Sequence, residues 1–453
     1  MFFSFRGFGD KLVAKGWTLV LKKISIPYGN EALTAEIPEE LILFTGEMTP
    51  LPALKNFEEE LRQSLGRPIG CAPLRSLISS RDRVLVLVED NTRNTPVKRT
   101  LPVLLDYLQE AGVPPGHVEI LTAPGTHRVM TEKELTEKIG EGIAQKVKVS
   151  QHDFRDPGTI ADLGTVQVGS MRIPVQVNRK ILEADFLIGL GDIVPHSDAG
   201  FSGGAKIVQP GVCGFATTAA THIAGALLDE IPLGEVDNPC RLGMEEVARK
   251  VKLRFIINVV KNFQNEVVKI VAGDFVQAHR RGVETARKSF GVPIPALADV
   301  VIVSSYPCDI DYWQAEKGLI SAYFAVKKGG ILIFVAPCPE GLEHNHPRLR
   351  DWIKMTYAEA CAAARKISPE ETQADLIAAD LAICNSRIRE KADVYLVSAG
   401  LGEEDSRILG YRKFATLPQA VEKALERFPG GSFGLLPRGG DCLPILSSSE
   451  TGR

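Results

Sequence analysis

His196, Lys206 and His222 share one glycine-rich stretch, GDIVPHSDAGFSGGAKIVQPGVCGFATTAATHIAG, which begins at Gly191. Two imidazoles and an amine around a loop that glycine lets bend closely can hold a metal, move protons or carry a covalently attached group. The stretch superficially resembles a phosphate loop. Lys206 is followed by Ile207, however, so the G-x-x-x-x-G-K-[ST] pattern of nucleoside-triphosphate sites is absent. His222 stands among small residues in ATTAATHIAGALLD. That setting fits a packed core histidine, and it also fits one that has something bulky beside it.

Other segments add polar groups of complementary type. Asp90, Thr92 and Arg93 fall in DNTRNTP, where a guanidinium can grip a phosphate or carboxylate with two parallel bonds. The same residues also suit an Asx turn with a surface ion pair. His127, in APGTHR, titrates naturally near neutrality and can carry a proton. The bland reading is a loop histidine before a helix capped by Thr131 and Glu134. Gln314 and Lys317, three apart, share a helix face that either closes over a site or is simply solvated. His344 and His346 form an H-x-H without a third ligand nearby and read as a surface turn. Hydrolase chemistry finds little support, because GFSGG around Ser202 is only a loose echo of a nucleophile elbow and H-E-x-x-H does not occur.

These residues need a scaffold, and the apolar runs predict one. Short β-branched runs at 84–88, 118–121, 186–190, 255–260, 300–303, 331–335 and 394–397 are apolar on both faces. Helix-like sequence separates most of them, clearest at 98–111, 132–138, 217–228, 275–290, 314–326 and 418–428. The alternation predicts α/β architecture: two α/β domains with mainly parallel sheets and the site in the cleft between them. Several chemistry-bearing loops directly follow predicted strands, where ligands collect in open α/β sheets. The expected boundaries are an extension over 1–23, a cofactor-binding catalytic domain over 24–290 and a linker over 291–299 (GVPIPALAD). A second domain over 300–425 and a segment 426–453 returning to the first domain complete the chain.

Composition narrows the function classes. A chain of 453 residues exceeds one compact core. A formal charge of −3 and the lack of any Lys/Arg run exclude a nucleic-acid footprint, so an anionic substrate must meet a few placed cations. Eight cysteines without a C-x-x-C pair fit a reduced, cytoplasmic protein better than a disulfide framework or zinc ribbon. Residues 1–23 are aromatic and basic, but charges interrupt every apolar run. They read as a surface helix ahead of the domain, neither a membrane span nor a signal peptide. The sequence leaves the oligomeric state open.

Taken in order, D-x-T-R at 90–93, GTHR at 125–128, H-x(9)-K at His196 and Lys206, then His222, then Q-x-x-K at Gln314 and Lys317 form a specific set. The set resembles the lactate racemase family, the nickel-pincer-nucleotide-dependent 2-hydroxyacid racemases and epimerases. The likeness runs from ISIPYGNEALTAEI, which starts at Ile24, to the C-terminal PRGGDCLPIL. It implies that Lys206 carries the cofactor, a pyridinium-3-thioamide-5-thiocarboxylate mononucleotide, through a covalent link. It also implies that His222 completes the coordination of nickel and that His127 and His196 act as acid and base. Asp90 and Thr92 would contact the cofactor, while Arg93, Gln314 and Lys317 would surround a small 2-hydroxyacid substrate. Other proteins would have to supply the cofactor.

The implied reaction is inversion at C2 by proton-coupled hydride transfer through a transient 2-keto acid. The alternative is a non-catalytic protein that binds or carries the nickel-pincer cofactor, although a carrier has no need of two bases. Trp313 occupies the place of a tyrosine in the lactate enzymes, with Tyr312 just before it. A late pocket tryptophan has no clear counterpart, since the other tryptophans are Trp17 and Trp352. Both departures touch the substrate pocket, and they leave lactate, a larger 2-hydroxy acid or a sugar acid epimerised at C2 as candidate substrates.

Overall fold

A computed structural model describes residues 20–447, together with the backbone of the short strands Val13–Ala14 and Trp17–Thr18. The surface helix expected over 1–23 lies mostly outside the described residues. Its end is already structured, because Leu21–Tyr28 is a strand paired antiparallel with Glu31–Pro38.

Two six-stranded sheets dominate. In the first, Val267–Gly273, Leu253–Lys261, Phe186–Asp192, Val84–Glu89, Val118–Ala123 and Lys148–Gln151 lie side by side in that order. All pairs are parallel except the first, which is antiparallel. The second runs Arg412–Lys413, Ala392–Val397, Val326–Val335, Ala298–Ser304, Phe433–Leu436 and Ile42–Thr45, parallel throughout. The expected α/β class with mainly parallel sheets is therefore observed. Its cause is visible in the strands: Val84, Leu85, Val86, Leu87 and Val88 are all buried, as a strand covered on both faces requires.

The chain divides between the sheets differently from the expected boundaries. Ile42–Thr45, expected in the catalytic domain, forms an edge of the second sheet. The preceding hairpin goes with it, because its apolar face of Ile24, Ile26, Ala35 and Ile37 packs on Val300, Ile302 and Ile331. Residues 291–299 are not an irregular linker. Gly291–Ile294 is a strand, and Ala298 already begins the next one. The C-terminal segment does not simply return to the first domain. Phe433–Leu436 inserts between Ala298–Ser304 and Ile42–Thr45, and Leu443–Leu446 then pairs with Gly291–Ile294. Pro293 is tolerated there because the pair has two strands only and its ring faces solvent.

The carboxyl ends of three neighbouring strands in the first sheet release the loops bearing Asp90, His127 and His196. Ala298–Ser304 in the second sheet leads into the helix Tyr312–Tyr323, which carries Gln314 and Lys317. Among the described residues no helix is long and apolar enough to cross a membrane.

Candidate active site

The loop bearing His196 and Lys206 is shaped from beneath. Arg241 is fully buried, and its guanidinium donates to the carbonyls of Ala199, Phe201 and Gly203. Gly203 and Gly204 adopt φ of 75° and 60°. A Cβ on Gly204 would lie 2.9 Å from the His279 ring, so glycine is required for both conformation and space. The Gly204 N–H donates to Asn258 Oδ1 at 2.8 Å, and Lys206 follows in a short 3₁₀ turn, Gly204–Ile207.

His127 is held by its neighbours on both sides. Its Nδ1 lies 2.8 Å from Asp90 Oδ2, and the Thr92 hydroxyl donates to Asp90 Oδ1 at 2.6 Å. Burial alone would raise the pKa of Asp90. The contacts with His127, Thr92 and Arg93 outweigh it and hold the carboxyl below its usual range. An ionised Asp90 accepts the Nδ1–H, which leaves a lone pair on His127 Nε2. Gln314 Nε2 donates to that lone pair at 3.0 Å, and Gln314 Oε1 accepts from Lys317. Residues from both sheets thus meet on one imidazole.

His196 sits in the opposite setting. It is 8% exposed, and its Nδ1 accepts the Asp198 backbone N–H at 3.2 Å. Accepting at Nδ1 puts the ring proton on Nε2. Burial, then the charges of Lys206, Lys317 and Arg93, push its pKa well below the ordinary imidazole range.

His222 projects from the helix Phe215–Ala226, and its Nδ1 donates to the Thr218 carbonyl at 3.0 Å. That bond leaves the Nε2 lone pair available as a ligand, the arrangement common among metal-ligating histidines. Enclosure and the nearby Lys206 charge pull its pKa down to about 3, so the ring is neutral. Ligand atoms of Asp198, His222 and Asp380 lie within 4.8 Å of one another. Enclosure, then the Arg93 charge, lowers the Lys206 amine to about 7, which makes it a usable nucleophile near neutrality.

The structure brings Asp90, Thr92, Arg93, His127, His196, Lys206, His222, Gln314 and Lys317 around one cleft of about 960 Å³, part of it open to solvent. It also adds residues that the motifs did not announce. Asp198, Glu316 and Asp380 line the cleft, and Arg241 braces its loop. Asp192, paired with Lys261 at 2.8 Å, and Glu89 sit below Arg93 and help to keep it charged. Asp198 and Glu316 stood inside quoted motifs, but nothing in the spacing marked them. His346 is not on a surface turn. It is 3% exposed, bonded to Asp375 at 2.9 Å and stacked 4.4 Å from Trp313. His344 remains partly exposed against Glu340. Trp352 lies in the core, donating to the Ala374 carbonyl, and does not line the cleft.

Residues 28–231 match the lactate racemase N-terminal domain, and residues 295–430 match the lactate racemase C-terminal domain. The chain is 31% identical over 340 residues to a lactate racemase of Thermoanaerobacterium thermosaccharolyticum, covering 74% of this chain and 78% of that protein. It belongs to the lactate racemase family. Identity to the lactate racemase of Lactiplantibacillus plantarum is 30% over 418 residues, covering 89% and 95% of the two chains. The lactate racemase apoprotein structure from T. thermosaccharolyticum superposes with a TM-score of 0.82 at 28% identity, over 94% of this chain and all of that one. A Thermotoga maritima protein shares the fold, with a TM-score of 0.68 at 24% identity.

Proposed function

We propose that this protein is an isomerase that inverts C2 of a 2-hydroxy acid, with His127 and His196 as the acid–base pair. The observation that carries the reading is their opposite protonation geometry in one cleft. His127 offers an Nε2 lone pair, whereas His196 offers an Nε2–H. Family membership supports racemase chemistry, and the relatives bear the name lactate racemase.

The residues fit the family's nickel-pincer nucleotide. His222, with Nδ1 committed to a carbonyl, would supply the nickel ligand, and Lys206 would form the covalent link. When bound, that group would supply the acceptor chemistry for the C2 hydrogen and its electron pair. The chain's own part is to place the acid and shuttle the proton. Arg93 and Lys317 would anchor the carboxylate, and the amide of Gln314 would guide the substrate hydroxyl towards His127 Nε2. Asp90 positions His127 and stabilises the imidazolium that forms as the proton arrives. Thr92 steadies Asp90 beside the cofactor loop. On the return, a protonated His196 would give its Nε2–H to the oxygen of the inverted product and solvent would restore both rings, with the two roles exchanged in the reverse direction. A cleft lined by residues from both halves of the molecule would help to retain the transient 2-keto acid.

A chiral assay over lactate and longer 2-hydroxy acids, run with cofactor-loaded protein, tests this reading. Interconversion of the enantiomers of at least one member is expected. Failure with every member would favour the carrier alternative, which the second base already disfavours. Cofactor-making proteins as partners and a cytoplasmic location belong to the same proposal.

A further inference from the structure

Cations on one side of the cleft have roles in the reading above, but a second wall has none. Asp198, Glu316 and Asp380 line the same cleft and are only 6%, 4% and 7% exposed. They come from the glycine-rich loop, from the helix Tyr312–Tyr323 and from the helix Leu376–Lys391. The last helix turns Ile377, Asp380, Leu381 and Cys384 towards the cleft at i, i+3, i+4 and i+7. Asp198 accepts from the Ser197 hydroxyl at 3.1 Å. Oε1 of Glu316 and Oδ1 of Asp380 have no hydrogen-bond partner among the described residues. Buried polar atoms are rarely left so, because an unmet partner is costly. The wall also adjoins the reacting end of the cleft, since Asp198 and Asp380 approach His222 within 4.8 Å.

A methyl group such as that of lactate would cover these oxygens and leave them unpaired. A hydroxyl instead donates its O–H to such an oxygen, supplying the partner these atoms lack.

We propose that Asp198, Glu316 and Asp380 form a subsite for the hydroxyl-bearing tail of a polyhydroxylated 2-hydroxy acid. The preferred reaction is then C2 epimerisation of such an acid. This inference rests on the isomerase reading. No bond in the tail changes: the C2–H bond breaks and re-forms on the opposite face, and the hydroxyl proton leaves and returns, with no net redox change.

The test compares three four-carbon probes on the holoenzyme: a trihydroxybutanoate, 2-hydroxybutanoate and 4-amino-2-hydroxybutanoate. Sites built to hydrogen-bond a hydroxyl reject analogues lacking it, so kcat/KM should favour the trihydroxy acid by about 100-fold or more over 2-hydroxybutanoate. Asp380→Leu should cut that ratio at least about tenfold, mainly through KM, and calorimetry should show a matching rise in the Kd of the trihydroxy acid. The near-isosteric Glu316→Gln and Asp198→Asn variants should each lower the ratio about threefold, which keeps the test open if Asp380→Leu misfolds. Equal or better use of 2-hydroxybutanoate overturns the subsite alone. Preference for the amino acid probe also overturns it, by assigning the wall to a cation. A loaded enzyme that interconverts none of the three contradicts the isomerase reading itself.

Discussion

The two histidines that line the cleft, His127 and His196, are chemically the same residue in unlike surroundings. His127 is partly exposed, fixed by the ionised Asp90 and met by an amide from the second sheet. His196 is buried, accepts a backbone N–H and is surrounded by Lys206, Lys317 and Arg93. One setting leaves an acceptor at Nε2 and the other a hydrogen-bond donor there. The difference shows how a fold can give one residue type opposite hydrogen-bonding faces, which under the proposed reading is why one histidine alone would not serve both enantiomers.

Lys206→Ala gives the largest expected effect on this comparison. Both histidines would remain, but the covalent adduct should vanish from the intact mass spectrum and turnover should fall to background. Full activity in that variant would break the tethered-cofactor reading. Next come His127→Ala and His196→Ala. Each should keep the adduct and lose turnover by about 10²–10⁴-fold, or roughly 3–5 kcal/mol of barrier. In single turnovers the two variants should still release 2-keto acid from opposite enantiomers. The same enantiomer preference in both would mean that the histidines do not divide the work.

Asp90→Asn should be milder, about 10- to 100-fold in kcat with KM little changed, because Asp90 acts through His127. A change confined to KM would place Asp90 on the substrate instead. The smallest effect concerns the lysine. Its amine is lowered to about 7, so it is neutral above that pH and protonated below. In cofactor-free protein, acylation of Lys206 by an amine reagent should rise through about pH 7 and then level, while surface lysines keep climbing. Peptide mapping reads both, and a profile like that of surface lysines would place the amine in water.

Much of the scaffold was legible because its causes are local. Strands buried on both faces read as unbroken β-branched runs, and Thr131 with Glu134 forms the expected capping box. The nine proposed site residues stood out through motif spacing, since most lie in loops after strand ends or near the start of a helix, with His222 within Phe215–Ala226 the exception. What stayed hidden depends on long-range packing. Ile42–Thr45 joins the second sheet because its hairpin buries Ile24 and Ile37 there, which no local pattern declares. Phe433–Leu436 becomes a central strand although only four residues long. His346 looked like a turn residue until Trp313 and Asp375 enclosed it. Asp380 lies on a helix with no recognised motif, and its meaning comes only from the cavity it faces.

The central claim is that C2 loses and regains its hydrogen with the electron pair while the two histidines handle only the hydroxyl proton. The most direct test uses one enantiomer of a 2-hydroxy acid deuterated at C2, incubated with holoenzyme in ordinary water. Both stereoisomers should appear with deuterium still at C2. Loss of deuterium to solvent in step with inversion would contradict the account, because it would make the histidines carbon bases.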